Sequence, residues 1–479
     1  MLLLGECLTM AEPERVDAVL VQGERIADLG SAEELCARYP GEPRVRVERI
    51  TPGVHDAHAH PLLWGQSLGE LDLAGVTDPR EVAARVAQRS GELPPGRWVR
   101  GRGFLFDTYP AERLLDDAAP RNPVLVESRD IHSAWVNAAA LRVAGITAVT
   151  ADPVGGVILR DTTGEPSGYL LESAAQLVAK VVPPPAKGDL ERGLADLAGR
   201  GYTAIHAMAY PGPDDLEWLE ELARAEALPL RVWKAVAKEK WQNTEPGWRG
   251  DDLEVAAVKL FADGALGSRT AWMFEPYASG GSGMPLDDGA ALLQEGRAAL
   301  GEGFTLAIHA IGTRAVADVV GVIRELSQDA HRRMRIEHVQ HVRDDELTAL
   351  AGLPVALSMQ PVHLLGDAEL IRRHLPGREA EAFRFRDLWR LGLPIAFGSD
   401  APVAKPDIAD SLRVATQHPL SPRQSLTREE ALFAFTRGAA LAAGWVYYGV
   451  LAVKARADLA LWEGDRLVGR VWRGRVEWL

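Results

Sequence analysis

The segment TPGVHDAHAHP, Thr51 to Pro61, places His58 and His60 two residues apart at the end of a short β-like run. In an extended strand alternate side chains share a face, so these two imidazoles can bind one metal ion while Ala59 points away. Zinc and other first-row divalent metals that accept imidazole suit such a pair when carboxylates complete the site. An isolated His-x-His pair is as often merely exposed or hydrogen bonded. We interpret His55, in the same segment, as a structural residue or as one that contacts the metal ligands but not the metal.

Strand-like runs alternate with helical segments after this point, a pattern typical of βαβ units and a parallel sheet. Eight such runs predict an α/β protein with a closed (β/α)₈ TIM barrel. The predicted barrel strands are Arg49–His60, Asn122–Arg129, Gly201–Met208, Glu254–Gly264, Phe304–Ala310, Arg333–His341, Pro354–Pro361 and Pro394–Asp400. The long gaps after the first two strands predict insertions there.

The two ends of the chain share a different sequence pattern, in which short β-like runs are separated by glycines and charged residues. Because chain termini often lie together, we expect the ends to build one small composite β-sandwich domain. The predicted organisation is residues 1–50 for its first part, 51–445 for the barrel with insertions after strands 1 and 2, and 446–479 for its second part.

Four further polar residues stand at the ends of predicted strands, namely Lys259, His309, His338 and Asp400 on the fourth, fifth, sixth and eighth. In a barrel these strand ends converge on the face where (β/α)₈ enzymes carry their active sites. The sequence therefore predicts that six side chains, including His58 and His60, meet around a metal centre.

Lys259 lies in VAAVKLFAD, where a strand buried on both faces should be continuously apolar. A buried ammonium without a partner is unfavourable, and reaction with carbon dioxide would convert the amine into an anionic carbamate able to bridge two metals. The alternative is a lysine that reaches solvent at the strand end or pairs with Asp263.

Each of the other three residues also has an ordinary structural interpretation. A lone buried histidine is usually a hydrogen-bonded core residue, which could apply to His309 or His338. Asp400 ends the buried run PIAFGSD and could cap the next helix. In company with the other candidates, Asp400 instead fits a metal ligand that accepts a proton from water.

The amino-acid composition limits the classes of molecule that the protein is expected to bind. The 47% hydrophobic and 25% charged residues are those of an ordinary globular protein. The 53 basic and 67 acidic residues give a net charge of −14, which argues against nucleic acid and anionic membranes. Cys7 and Cys36 cannot supply a disulfide framework, and no apolar run is long enough for a membrane span, so a cytoplasmic location is expected.

Several motifs together resemble the amidohydrolase superfamily, in particular its YtcJ-like or amidohydrolase-3 branch, which includes N-substituted formamide deformylases. The resemblance covers nearly the whole chain. Its motifs are TPGVHDAHAHP, IHSAWVNAAAL, GEPSGYLLE, KLFADGALGSRTA, HAIGTRAV, IEHVQ and FGSDAPV.

The resemblance implies a barrel with a composite β-sandwich, a centre of one or two divalent metals such as Zn²⁺, and hydrolysis of an amide-type C–N bond. It assigns metal ligation to His58, His60, Lys259, His309, His338 and Asp400, with CO₂ needed if Lys259 is carboxylated. His132 and His363 are similar to substrate-contacting residues, although a structural role fits each equally well. A homodimer is also implied.

GRGFLFDTYP, Gly101 to Pro110, lacks the Trp-Asp pair that relatives often carry, and Ala207 replaces an acidic residue in GYTAIHAM. These departures affect the prediction of specificity and leave the metal set intact.

The resulting hypothesis is a hydrolase acting on non-peptide C–N bonds, in which metal-activated hydroxide attacks an N-substituted formamide or an N-acyl amine. Asp400 would relay the proton to the departing amine. The alternatives are a hydrolytic deaminase of a heterocycle with one metal and an unmodified Lys259, or a barrel that only binds.

Overall fold

The computed structural model describes residues 1–106, 113–128, 133–210, 214–328 and 333–479. Its strands β1 to β22 are, in chain order, Leu2–Leu8, Arg15–Gln22, Arg25–Gly30, Arg44–Pro52, Val54–Ala59, Leu71–Asp72, Val99–Phe104, Val124–Ser128, Ser133–Val136, Gly156–Arg160, Pro166–Glu172, Tyr202–Met208, Arg231–Ala237, Gly247–Arg249, Leu253–Phe261, Thr305–Ala310, Met334–His338, Val355–Met359, Ile395–Phe397, Leu459–Glu463, Arg466–Trp472 and Arg475–Trp478.

Helices α1 to α16 are, in the same order, Ala32–Arg38, Pro61–Ser67, Pro79–Glu92, Leu114–Ala118, Ala138–Val143, Ala175–Ala179, Lys187–Gly199, Leu216–Arg224, Gly289–Gly301, Thr313–Leu326, Asp344–Leu350, Leu364–His374, Phe385–Trp389, Ile408–Thr416, Arg428–Phe435 and Arg437–Ala443. Short 3₁₀ helices cover Trp241–Asn243, Pro361–His363, Glu379–Glu381 and Pro422–Gln424. Throughout the described ranges, each helix is too short or too polar to cross a membrane.

The chain divides into two compact units, one of residues 1–64 and 190–479 and the other of residues 65–189. In the first unit both chain ends build one sheet, in the order β22-β21-β20-β4-β1-β2-β3. Strand β4 lies between β1 and β20, so a strand from the amino-terminal end pairs directly with one from the carboxyl-terminal end.

The same unit holds a parallel barrel of eight strands among the described residues, in the order β5-β12-β13-β15-β16-β17-β18-β19, while β14 pairs antiparallel with β15. The barrel closes between β5 and β19, where the backbone N–H of His60 donates to Ala401 O at 2.9 Å and that of Asp400 donates to His58 O at 2.6 Å. The predicted α/β class, a barrel with a composite domain from the two chain ends, is confirmed.

Burial on both faces explains the sequence of the barrel strands. Strand β15 is buried along nearly its whole length, as a parallel strand covered by helices requires. Helix α10 shows the complementary pattern, with buried apolar residues that recur at helical spacing: Ala315, Val316, Val319, Val320, Ile323 and Leu326.

One predicted barrel strand is wrong. Residues Asn122–Arg129 contribute β8, which belongs to the separate sheet of the second unit, in the order β10-β11-β9-β8-β7-β6. The third barrel strand is instead β13, RVWKAVA, which is not apparent from the sequence because Arg231 and Lys234 interrupt its apolar pattern. GYTAIHAM is therefore the second barrel strand. In place of the two expected insertions there is a single insertion, which lies between the first and second barrel strands.

Gly398 allows the close approach of strands at the barrel closure. A Cβ at this position would lie 2.4 Å from the backbone nitrogen of His58 and 2.9 Å from Asp56 Oδ1. We expect Gly398→Ala to lower the free energy of unfolding by about 1–3 kcal/mol, because the rigid backbone of β5 must move. Urea denaturation measures the effect.

Gly366→Ala is the matched control, because a Cβ there meets nothing within 4 Å and the residue lies inside α12. Alanine favours a helix over glycine by about 1 kcal/mol, so this variant should be unchanged or slightly more stable. Equal stability of the Gly398 and Gly366 variants would contradict the tight closure.

Candidate functional site

The six side chains predicted as metal ligands all lie at the carboxyl ends of barrel strands in the first unit. His58 is near the end of β5 and His60 follows it, Lys259 lies in β15, His309 in β16, His338 ends β17, and Asp400 follows β19. Nitrogen or oxygen atoms of His58, His338 and Asp400 lie within 4.8 Å of one another, and all three residues are buried. This trio is a candidate metal site.

Hydrogen bonds fix which ring nitrogen each histidine presents to this site. Nδ1 of His58 is 2.7 Å from Glu337 Oε2, Nδ1 of His60 is 3.0 Å from Met208 O, and Nδ1 of His338 is 2.8 Å from Gln360 Oε1. Each partner atom is an acceptor, so each Nδ1 carries the proton and each Nε2 keeps a free lone pair.

His309 has the opposite tautomer. Its Nε2 lies 2.9 Å from Gly264 O and must donate, which leaves the lone pair on Nδ1. The rings of His309 and His338 are 4.5 Å apart, and those of His338 and His58 are 4.8 Å apart. The three imidazoles thus form one contiguous group.

Asp400 faces these lone pairs. Its Oδ1 lies 3.1 Å from His60 Nε2 and 3.5 Å from His58 Nε2. Neutral imidazoles with the tautomers given above would bring acceptor against acceptor, an arrangement that a shared cation stabilises. The donor set of imidazole nitrogens and a carboxylate fits a divalent metal such as zinc.

Asp400 does not cap the following helix, which was the alternative interpretation. Asp407 caps α14 by accepting the backbone N–H of Asp410. Asp400 has a φ of 60° and donates its own backbone N–H to His58 O at 2.6 Å. This conformation and bond hold the carboxylate beside β5.

Lys259 is buried, with 1% of its surface exposed. Its Nζ has no hydrogen-bond partner among the residues that the structure describes, and it lies 5.0 Å from the centre of the Phe261 ring. The expected alternative of an ion pair with Asp263 is not observed, because that carboxylate accepts the backbone N–H groups of Trp272, Ile311 and Gly312. An amine left unpaired in this position is available for modification or for ligation.

Burial and neighbouring charges set the protonation of these groups. Burial lowers the pKa of His58 to about 4 and that of His309 to about 3, with the Lys259 charge adding to both shifts. Burial also lowers the pKa of Lys259 to about 8, against the attraction of Glu337 and Asp400. Burial raises the pKa of Asp400, but attraction to His58 and the contact with His60 outweigh burial, so the pKa of this carboxyl lies well below its usual range.

Three residues around the candidate ligands, Glu337, Arg335 and Gln360, are not among the site residues that the sequence predicts. Glu337 accepts from His58 and from Arg335, whose Nε lies 2.8 Å from Glu337 Oε1. Gln360 accepts from His338. The signal for the first pair was present in β17, since Arg335 and Glu337 are two residues apart and share a face of the strand.

Of the two substrate candidates, His132 lies outside the described residues. His363 follows β18 and places Nε2 at 3.7 Å from Asp400 Oδ2. Its ring is nearly parallel to that of His338, at 6.3 Å. His363 therefore borders the candidate metal site from the side of the seventh barrel strand.

A cavity of about 330 Å³ adjoins His60 on the side of the second and third barrel strands. Its apolar wall consists of Leu62, Leu63, Met208, Ala209 and Ala237. The buried charges in the wall neutralise one another, because Lys234 Nζ lies 2.5 Å from Asp215 Oδ1. The other charged residues of the lining, Asp214, Glu239 and Lys240, are exposed, so the part of the cavity next to His60 offers space for an uncharged organic group.

Comparison with protein families gives two matches. The amidohydrolase family matches residues 48–470, and an imidazolonepropionase-like composite domain of bacteria matches residues 18–41. The first match spans most of the chain, and the second covers part of the sheet built from the chain ends.

Three similar proteins illustrate the relationship. "Putative amidohydrolase YtcJ" of Bacillus subtilis is 31% identical, over 95% of this chain and 92% of its own. An N-substituted formamide deformylase of Arthrobacter pascens is 27% identical, over 94% and 90%. The crystal structure of an uncharacterised metal-dependent hydrolase from Pyrococcus furiosus has 26% identity and a TM-score of 0.82, covering 97% of this chain and 98% of that one.

Proposed function

The chain belongs to the amidohydrolase family, and from this premise we propose that it hydrolyses a C–N bond of an N-substituted formamide or another N-acyl amine. Metal-dependent hydrolysis is the property that the chain shares with its family. Cleavage of an amide-type bond is a more specific proposal, and the similarity to a formamide deformylase along most of both chains supports it.

The observation that carries the proposal is the set of lone pairs turned toward Asp400. His58 and His60 approach its Oδ1 through Nε2, at 3.5 and 3.1 Å. We propose that His58, His60, Lys259, His309, His338 and Asp400 hold one or two divalent metals, Zn²⁺ first among them. When bound, such a metal polarises a carbonyl and makes water more acidic.

The residues behind the ligands prepare them for this role. Glu337, Met208 O and Gln360 hold Nδ1 of His58, His60 and His338, so each ring is fixed in tautomer and orientation before any ligand arrives. Lys259, as a carbamate formed with CO₂, would replace a buried cation by an anionic ligand with two oxygens. This modification is part of the proposal and is supported by the unpaired amine.

Asp400 is the proposed proton carrier. Its carboxylate accepts a proton from the attacking water and delivers it to the departing nitrogen, which must leave as a neutral amine. His363 Nε2, which lies 3.7 Å from Asp400 Oδ2, borders the site and is proposed to contact the substrate. The apolar cavity beside His60 would receive the substituent on the amide.

The test combines metal analysis with a substrate series. We expect protein purified without chelator to contain a divalent metal, to release amine from N-alkylformamides, and to lose this activity with a chelator and regain it with Zn²⁺. Growth with ¹³C-bicarbonate should give a carbamate carbon signal that Lys259→Met lacks.

Two results would redirect the proposal. Ammonia release from a heterocycle, with one metal and an unmodified Lys259, would favour the deaminase alternative. A metal-free protein that hydrolyses no amide would favour a barrel that only binds.

Leu63→Trp should narrow the cavity beside His60. We expect KM for N-hexylformamide to rise at least about 10-fold, because losing the room for even one methylene in an apolar pocket has an effect of this order. KM for N-methylformamide should change little. Steady-state kinetics on both substrates measure the contrast.

Leu365→Trp is the control, because Leu365 is 51% exposed and lies outside the cavity lining. If Leu63→Trp changed KM equally for both substrates, the cavity would not be part of the proposed substrate site.

A cytoplasmic location is also part of the proposal. Cys7 and Cys36 are both free thiols, as a reducing compartment favours. Cell fractionation tests it, and recovery of the enzyme outside the cytoplasmic fraction would contradict it.

A further inference from the structure

The interior of the barrel contains a charged network centred on Arg335, which is fully buried. Its Nε and Nη2 bind the two carboxylate oxygens of Glu337 at 2.8 and 3.1 Å. Nη2 also donates to Ala57 O at 2.7 Å, and Nη1 lies 2.6 Å from His206 Nδ1. The guanidinium therefore connects the strands β5, β12 and β17.

The contact with Arg335 determines the tautomer of His206. A guanidinium only donates, so Nδ1 of His206 must be an acceptor and the ring proton must reside on Nε2. His206 is fully buried, and its Nε2 has no hydrogen-bond partner within the described part of the chain. The ring thus carries a buried N–H donor that has no acceptor among the described residues.

Two neighbours of His206 also have a buried polar atom without a hydrogen-bond partner among the described residues. The Trp233 ring lies 5.4 Å from the His206 ring and the His55 ring lies 5.9 Å from it. Trp233 Nε1, which can only donate, and His55 Nδ1 are buried and unpartnered among the described residues. The indole N–H of a second nearby tryptophan does have an acceptor, since Trp445 Nε1 donates to Glu254 Oε2 at 2.6 Å.

Two donors without acceptors, with a third polar atom beside them, define what the group can bind. A cation is excluded, because His206 Nε2 and Trp233 Nε1 both present hydrogens. An apolar molecule would leave both donors unsatisfied. Buried polar atoms of this kind are normally satisfied by an internal water or an ion, and such a site needs two to four polar partners.

We propose that His206, Trp233 and His55 form an internal binding site for a small hydrogen-bond acceptor, either an ordered water molecule or a halide ion. His206 Nε2 and Trp233 Nε1 donate to the occupant, and His55 Nδ1 completes its shell. Arg335 orients His206 for this contact while also holding Glu337 behind His58. The site is independent of the proposed hydrolase activity.

Crystals of the metal-loaded protein grown in sodium bromide or in sodium acetate test the proposal. We expect density within hydrogen-bond distance of His206 Nε2 and Trp233 Nε1 in both. An anomalous bromine peak identifies a halide site, and density without that peak identifies water. A site without density at atomic resolution, or with both donors bound to protein acceptors, would overturn the proposal.

A solution measurement and a variant give independent readouts. ¹⁵N spectra of histidine-labelled protein should show His206 protonated at Nε2, and protonation at Nδ1 would overturn the assignment. In Trp233→Phe the occupant should disappear or lose occupancy, while Trp248→Phe, at a 41% exposed tryptophan, should keep it. Unchanged density at this position in the Trp233 variant would show that the indole does not bind the occupant.

Discussion

Asp400→Asn is expected to lower kcat on an N-alkylformamide by about 100- to 10,000-fold, the usual contribution of a positioned general base. Asparagine keeps the shape of the side chain but cannot accept a proton at neutral pH. The neutral amide also removes the negative charge that faces His58 and His60 at 3.5 and 3.1 Å. Metal content must therefore be measured on the same preparation.

The leaving group separates proton transfer from metal binding. An alkylamine must be protonated as it leaves, whereas 4-nitroaniline leaves with much less help. Loss of a metal ligand would slow both substrates equally, but loss of the proton carrier should slow N-hexylformamide far more than 4-nitroformanilide. The ratio of kcat/KM for the two substrates is therefore the decisive measurement.

Asp410→Asn provides the matched control, because Asp410 lies in α14 with 44% of its side chain exposed and pairs with Arg413 at 2.7 Å. It should leave both substrates unaffected. If the Asp400 variant kept its metal and its normal rate on N-hexylformamide, or slowed both substrates by the same factor, Asp400 would not be the proton carrier.

The strand pattern predicted seven of the eight barrel strands, and the error at the remaining one has a physical cause. Strand β13 contains Arg231 and Lys234, charges that are rare in a buried parallel strand. They are tolerated because Arg231 pairs with Asp252 and Asp458, and Lys234 pairs with Asp215. Such partners are known only once the chain is folded.

At the candidate site the sequence identified groups that end strands, but not the groups behind them. His58, His338 and Asp400 stand in recognisable motifs, and their convergence follows from the barrel itself. Gln360 could not be found in this way, because its role depends on a 2.8 Å contact with a histidine of the neighbouring strand. Tautomers, too, follow only from such contacts.

Arg335→Met should produce the largest loss of stability. The substitution keeps an unbranched side chain of similar length but leaves the buried Glu337 carboxylate without its cation, and breaking a buried pair in this way costs about 3–5 kcal/mol. Urea denaturation should show this decrease. Arg297→Met, which breaks an exposed pair with Glu325 at 3.0 Å, should cost less than about 1 kcal/mol.

The double variant Arg335→Met/Glu337→Met separates the ion pair from its effect on His58. Removing both charges should recover much of the lost stability, because no buried charge is left unpaired. Metal affinity should nevertheless stay about 10- to 100-fold below that of the unaltered protein, since His58 Nδ1 loses the carboxylate that orients it at 2.7 Å. Recovery of stability and metal affinity together would show that Glu337 serves only the fold; recovery of neither would show that Arg335 acts mainly through Ala57 and His206.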